Sequence, residues 1–241
     1  KNEIPATFFI CTPTFNNKYF YWDILNYLLI DQKEINKENL EFLLNICKLE
    51  KINIKPEQVI DDVTYANTLN WKINSNKFPS KRCMVFELLA NKVEYDNGNL
   101  QSSILNKIYS RDYTLDKDKA TFIPKNLSDV GKYVNGSHTL NHYCLSSLKK
   151  KEQEHEILDN KKFLEDMFGN TIQFFAYPFG SQKHYNQYSV DIVKNNFILG
   201  LSNFPGLIHK ESNQFELPRF LIRNWTESEF KTKIKSFFEY N

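Results

Sequence analysis

Cysteine is scarce in this chain. Cys11, Cys47, Cys83 and Cys144 lie far apart and form no CxxC pair. That spacing argues against a cysteine-type structural zinc site, and a length of 241 residues argues against a disulfide scaffold. The remaining reading is four reduced, partly buried thiols acting as small hydrophobes. It suits a reducing compartment, and so a cytoplasmic location. A dominant charge is missing as well. Lys and Arg total 31 against 29 Asp and Glu, a net charge of +2, which leaves no bulk-charge case for nucleic acid as a partner. No apolar run approaches roughly 18 residues, so no transmembrane helix is expected. Linkers rich in Pro or Gly and internal repeats are absent, and nothing marks a surface for a protein partner. The chain opens KNEIPATFFI, with neither an initiator Met nor a charged-then-apolar leader, and so reads as the middle of a protein.

What is present is a folding composition. Aromatic residues make up 15%, with 20 Phe and 13 Tyr, which excludes disorder over most of the length. The length allows one large domain or two small ones. The expected organisation is a single domain, 1–241, carrying a mostly helical insertion at about 16–124. Residues 6–10 read as a buried strand. Residues 21–31 and 37–49 read as amphipathic helices, the second with Leu40, Leu43, Leu44 and Cys47 on one stripe. Two further helical patterns fall near 82–95 and 99–110. Residues 133–137 approach a Gly-Ser turn. Ser146 or Ser147 is the expected cap of a long charged helix that ends at Gly169, with Ile157, Leu164 and Phe168 as its buried stripe. Residues 172–176, 198–202 and 217–222 read as strands, with a helix at about 184–196. Thr226 and Glu229 form a capping box for a last helix whose apolar face is Phe230, Ile234, Phe237 and Phe238. Strands alternating with helices indicate an α/β architecture with a parallel sheet.

Two of the five histidines sit together in Gly136-Ser-His138-Thr-Leu-Asn-His142. Imidazoles four residues apart can reach one metal ion if the backbone curls after a strand end, with a third ligand, often a carboxylate, completing a catalytic site. The rival reading is a pair of surface histidines on a loop. Ser137 and Thr139 flank the first imidazole and either orient it or bond the backbone of an ordinary turn. Lys149–Lys151 reads as an exposed helix face. Trp22, Trp71 and Trp225 either stack on a ligand ring or pack in the core.

The motifs in their order carry a resemblance. PATFFI at 5–10, Gly136–His142, Leu145-Ser146, Phe175-Ala-Tyr-Pro-Phe-Gly180 and Leu217-Pro-Arg219 together resemble the polysaccharide deacetylase family, also called the NodB-homology or carbohydrate esterase 4 family. The likeness covers 1–14 and about 125–225. It implies a distorted (β/α)7 barrel, related to the TIM barrel, with its site at the carboxyl ends of the strands. It implies a divalent metal held by one Asp together with His138 and His142. Zinc is expected, and cobalt, nickel or iron would be tolerated by such ligands. The implied substrate is an N-acetylated carbohydrate and the implied reaction is hydrolysis of its acyl amide. By the same resemblance, the main-chain N–H of Phe179 helps to hold the oxyanion and Tyr177-Pro178 shapes the adjoining wall.

Three departures accompany the likeness. The family's Thr-Phe-Asp-Asp-Gly segment, which supplies the base and the metal-binding Asp, is not found ahead of PATFFI. The barrel is therefore expected to lack its first strand, leaving an open seam beside residues 4–10. Asp61-Asp62 lies in the wrong order to replace the segment and reads as a solvated turn. The family's turn arginine is replaced by Ala176, and Arg219 is the candidate to stand in for it. The family's late Leu-x-x-His acid has no plain counterpart, and His209 in Leu207-Ile-His209 is the candidate for it, with an exposed loop histidine as the rival reading. The rival functions are an inactive or truncated carbohydrate-binding homologue, and a deformylase acting on a lipid- or nucleotide-linked sugar.

Overall fold

The computed structural model describes residues 5–12, 19–47, 54–109, 130–131 and 133–239. The chain forms two compact units, one of residues 17–123 and the other of the flanking segments together.

The flanking segments build a parallel four-stranded sheet. Its strands are β1 (Thr7–Ile10), β2 (Val134–Ser137), β3 (Phe174–Ala176) and β4 (Leu199–Leu201), in the spatial order β1-β2-β3-β4. Thr7 pairs with Val134, Gly136 with Phe174, and Phe175 with Gly200. Parallel neighbours need a crossover between them. The β2–β3 crossover runs through Lys150–Glu154, a π-helical turn at His155–Asp159 and the helix Asn160–Phe168. The β3–β4 crossover is the helix Gln187–Asn196. Ile10, Ile157, Leu164, Ile172, Phe175 and Val193 form the core between sheet and helices.

A closed barrel is not formed among the described residues. Closure demands a full circle of tilted strands, and strands of three or four residues in an open row of four do not supply it. The strand expected at 217–222 is reduced to one bridge, Leu201 to Leu217. Its cause is local. Pro218 has no N–H to continue the ladder, and the Arg219 N–H turns away to Phe204 O at 3.0 Å.

The expected cap of the charged helix is also corrected. Ser146 and Ser147 lie in a 3₁₀ turn, Leu145–Ser147, and the cap is Lys149, whose N–H donates to Glu152 Oε2 at 2.7 Å. Gly169, at φ +68°, ends that helix as expected. The last helix, Glu227–Phe238, does carry the Thr226–Glu229 capping box. Its apolar face is only partly covered, however: Phe237 stacks on Phe220, while Phe230 and Phe238 are exposed.

The described elements of unit 17–123 are helical: Tyr21–Leu25 with a π-helical turn at Asn26–Ile30, Lys37–Cys47, Asp62–Leu69, Lys81–Glu94 and Asn99–Tyr109. Asp61-Asp62 opens one of these helices. Asp61 Oδ1 accepts the Thr64 N–H at 2.9 Å, so the acidic pair serves as a helix start. Trp71 packs in the helical core with its ring centroid 5.8 Å from that of Phe86, and Trp22 stacks on Phe20 at 4.3 Å. Arg82 is buried in this unit and donates to the main-chain oxygens of Gln32, Lys33, Glu57 and Gln58. Cys11, Cys83 and Cys144 are buried free thiols, and the side chain of Cys47 lies outside the described residues.

Candidate functional site

In a parallel sheet the carboxyl ends of all strands lie on one edge, where ligands bind in α/β folds. His138 follows β2 directly, Tyr177 follows β3, and Asn203 lies two residues past β4. These ends meet in a pocket of about 340 Å³, lined by His138, His142, Tyr177, Phe179 and Arg219 together with Asn203, Phe220 and Leu221. Five of the six residues singled out from the sequence are thus brought together. The sixth, His209, is not. It lies exposed on the loop after β4 and lines a neighbouring pocket with Gln182, Phe204 and Glu216.

The two imidazoles stand edge to face, with ring centroids 4.8 Å apart. The His138 N–H extends the sheet by donating to Ile10 O at 3.0 Å. Its ring is held by a 2.7 Å bond between Nδ1 and Ala176 O. A carbonyl only accepts, so Nδ1 carries the proton and Nε2 keeps its lone pair. Burial pushes the His138 imidazole down to about 4, with a further push from Arg219 and the carbonyl bond opposing it. His142 is driven well below its ordinary value by burial and by His138. Both rings are therefore neutral near pH 7.

This has a measurable consequence for the metal-free chain. A base whose folded pKa is depressed binds fewer protons in the native state. Its contribution is present above the ordinary value of 6.5 and is lost as pH falls toward 4. Buried Glu156, whose carboxyl is pushed up by burial, acts in the opposite sense. Two imidazoles against one carboxyl leave a net loss. The thermal midpoint in the presence of chelator will be lower at pH 5 than at pH 7; an unchanged or higher midpoint would contradict the assigned environments.

Neutral, half-buried imidazoles, that of His138 with its tautomer anchored on Ala176 O, suit a divalent metal. They supply two donors, whereas a catalytic zinc takes three from the protein. No group of three or more His, Cys, Asp or Glu able to hold a metal occurs among the described residues. The described donor set fits such an ion in kind but does not complete its site.

The opposite wall is the turn after β3. Phe179 and Gly180 have φ of +59° and +74°. The Phe179 ring lies 4.9 Å from His142 and 5.3 Å from His184. Tyr177 is buried and donates its hydroxyl to Phe215 O at 2.9 Å, so it shapes the wall. Asn203 ties this turn to the end of β4: its N–H donates to Gly180 O at 2.7 Å and its Nδ2 to Phe179 O at 3.1 Å. Arg219 Nε donates to Ser202 O at 2.6 Å, which fixes the guanidinium in the pocket wall. Thr139 and His142 also have positive φ, +67° and +59°. Non-glycine residues in this region cost about 1 kcal/mol or more each and gather at functional sites.

Sequence reasoning missed the residues behind the site. Asn160 is fully buried. Its Nδ2 donates to Ile10 O at 2.9 Å and to Ser137 Oγ at 2.8 Å, while its Oδ1 accepts from Thr12 Oγ1 at 2.6 Å, stitching β1 to β2 just before His138. Gln153, Glu156 and Asn160 are all buried on the face that also presents Ile157 and Leu164. Polar residues at apolar positions of a helix were the available signal. Thr139 Oγ1 accepts the His142 N–H at 3.1 Å, so of its two expected roles the structure shows the turn-bonding one.

Residues 120–197 match the polysaccharide deacetylase family, which bears out the resemblance read from the motifs; the HxxxH and AYPFG segments both fall inside the match. YxkH of Bacillus subtilis, assigned by inference to the polysaccharide deacetylases, is 29% identical over 87 residues, or 36% of this chain. The aligned part spans 30% of YxkH. Among solved structures, the Streptococcus pyogenes deacetylase PplD in complex with acetate is similar over 84% of this chain and 88% of PplD, at 16% identity and a TM-score of 0.42. A polysaccharide deacetylase from Bacillus cereus is similar over 58% of this chain and 49% of its own, at 19% identity and a TM-score of 0.39.

Proposed function

We propose that this chain carries the active site of a carbohydrate N-deacetylase. The observation that supports the reading best is the convergence on one pocket of His138 and His142 from the end of β2, Tyr177 and Phe179 from the end of β3, and Arg219 from the segment after β4. In this reading His138 and His142 are two ligands of a divalent metal, zinc first, and the acidic ligand comes from outside the described residues. Such an ion supplies Lewis-acid polarisation of the acyl carbonyl and a water of lowered pKa. The chain's own part is to keep the imidazoles neutral and oriented, to hold the N-acetyl group against the Tyr177–Phe179 wall, and to place the positive charge of Arg219 beside it. A (β/α) barrel of the family type remains part of the proposal, with the described sheet as one arc of it.

The test is acetate release from N-acetylated chito-oligosaccharide by the full gene product, with chelator and with added zinc. Release should be metal-dependent, and His138→Ala or His142→Ala should reduce it below detection in folded protein. Two neutral imidazoles by themselves offer no charge to a dication, so zinc affinity in this reading rests on the acidic ligand. The two-donor set also favours a second reading, an inactive homologue that binds the same sugar. Saccharide binding without any acetate release, at any zinc concentration, would select that reading.

A further inference from the structure

The loop between the two histidines is bracketed by strained residues, Thr139 at φ +67° and His142 at φ +59°. A loop of that shape needs an outside hold, and the helix that follows supplies one. At the π-helical turn His155–Asp159 the Asn160 N–H donates to Ile157 O. The oxygen of Glu156 accepts from the loop: the Leu140 N–H reaches it at 3.0 Å. The Glu156 carboxylate takes the next residue by two atoms. Its Oε2 accepts the Asn141 N–H at 2.8 Å and its Oε1 accepts Asn141 Nδ2 at 2.7 Å. Three bonds from one residue thus fix Leu140 and Asn141, the step immediately before His142. Glu156 is itself buried, 2% exposed, so solvent does not compete for these bonds. π-turns inserted in α-helices recur at functional sites, and this one turns a main-chain carbonyl toward the site loop.

We propose that Glu156 is the positioning residue that sets the orientation of His142 relative to His138, acting through Asn141. The inference rests on reading the two histidines as a ligand pair, but its primary test needs neither metal nor turnover. It is read from the imidazole nitrogen and proton signals of the metal-free full chain by nuclear magnetic resonance. Glu156→Gln keeps the size of the side chain but turns a donor toward one of the two Asn141 donors. It should displace the His142 ring signals clearly, and those of His138, anchored on Ala176 O, much less. Zinc affinity, measured by competition, should fall about 10-fold or more, as for other residues that orient a ligand. The double variant Glu156→Gln with Asn141→Asp restores the pairing with donor and acceptor exchanged: the glutamine oxygen accepts the main-chain N–H and its amide donates to the new carboxylate. The double variant should return the His142 signals toward their original positions.

Unmoved His142 signals in a folded Glu156→Gln variant would overturn the proposal, leaving Glu156 a residue of general packing. So would a double variant no better than the single one, since it restores both the local charge and the exchanged donor–acceptor pairing, and its failure would show that this pairing does not set the His142 ring. Absence of acetate release from the unaltered protein would sink the deacetylase reading and leave these signals, and the positioning role, as they are.

Discussion

Replacing Arg82 by methionine will lower the thermal midpoint of the chain by about 5 °C or more. Arg82 is fully buried, 0% exposed, and its hydrogen bonds go to main-chain oxygens, with the Glu57 carboxylate acting on it at longer range. Nε donates to Glu57 O at 2.8 Å, and Nη2 to Gln58 O at 2.5 Å and Lys33 O at 3.1 Å, while Nη1 reaches Gln32 O. These carbonyls flank the antiparallel bridge between Glu34 and Val59, where the Ile35 N–H also donates to Gln58 O at 2.8 Å. The guanidinium therefore staples two segments that have no longer ladder to hold them. Methionine keeps most of the apolar stem and removes every donor. Gln58 O and Lys33 O keep the Ile35 and Ile60 N–H groups, so the loss falls chiefly on Gln32 O and Glu57 O, at about 1–3 kcal/mol each, or at least about 2 kcal/mol together. A drop of only one or two degrees in differential scanning calorimetry would mean that the stem carries the effect. Arg82→Lys, with one compact head in place of the fork, should fall between the two.

The second large effect is expected at Gly180→Ala, with Gly169→Ala as its control. Both glycines have positive φ, +74° and +68°, so both substitutions carry the left-handed penalty of about 1–2 kcal/mol. Only one of them also collides. A Cβ at Gly180 would lie 2.6 Å from Asn203 Cβ and 2.8 Å from Asn203 N, whereas nothing lies within 4 Å of a Cβ at Gly169. Main-chain atoms cannot swing aside, so the end of β4 must move, adding about 1–3 kcal/mol of overpacking. Asn203 is part of the pocket wall and holds Phe179 O, so the site deforms with it. Gly180→Ala should thus lower the midpoint by about 6–12 °C and Gly169→Ala by about half as much. Gly180→Ala should remove acetate release while Gly169→Ala retains it. Equal losses for the two variants would show that conformation alone, and not the contact with Asn203, makes Gly180 necessary.

Much of this architecture is legible in residue order. β1, β3 and β4 were readable because Thr-Phe-Phe-Ile, Phe-Phe-Ala and Leu-Gly-Leu lie in short apolar runs bounded by turn residues. β2 was not. Val134-Asn-Gly-Ser has little strand propensity of its own and is a strand because β1 and β3 pair with it on both sides. The start at Asp61-Asp62 was hidden for a different reason: a polar pair ahead of a short helix looks the same as a solvated turn until Thr64 is seen to bond it. At the site, the histidines and the Tyr177–Gly180 turn were legible because they lie in contiguous motifs. Glu156, Asn160 and Asn203 were not, since each acts on residues distant in sequence. Asn160, for example, bonds Ile10, 150 positions away. His209 shows the converse, a candidate offered by an imperfect local likeness, whose loop carries it to a different pocket.

The C-terminal helix has a consequence of its own. Glu227–Phe238 buries none of its residues. It is held by its capping box, by the Lys231–Glu227 ion pair at 2.6 Å, and by the stack of Phe237 on Phe220 at 4.0 Å. A helix of 12 residues that depends on such local signals is near the limit of what water tolerates. Its amides can therefore exchange with solvent by a small opening that leaves the sheet intact. In hydrogen exchange this helix is expected to open at a lower free energy than the sheet.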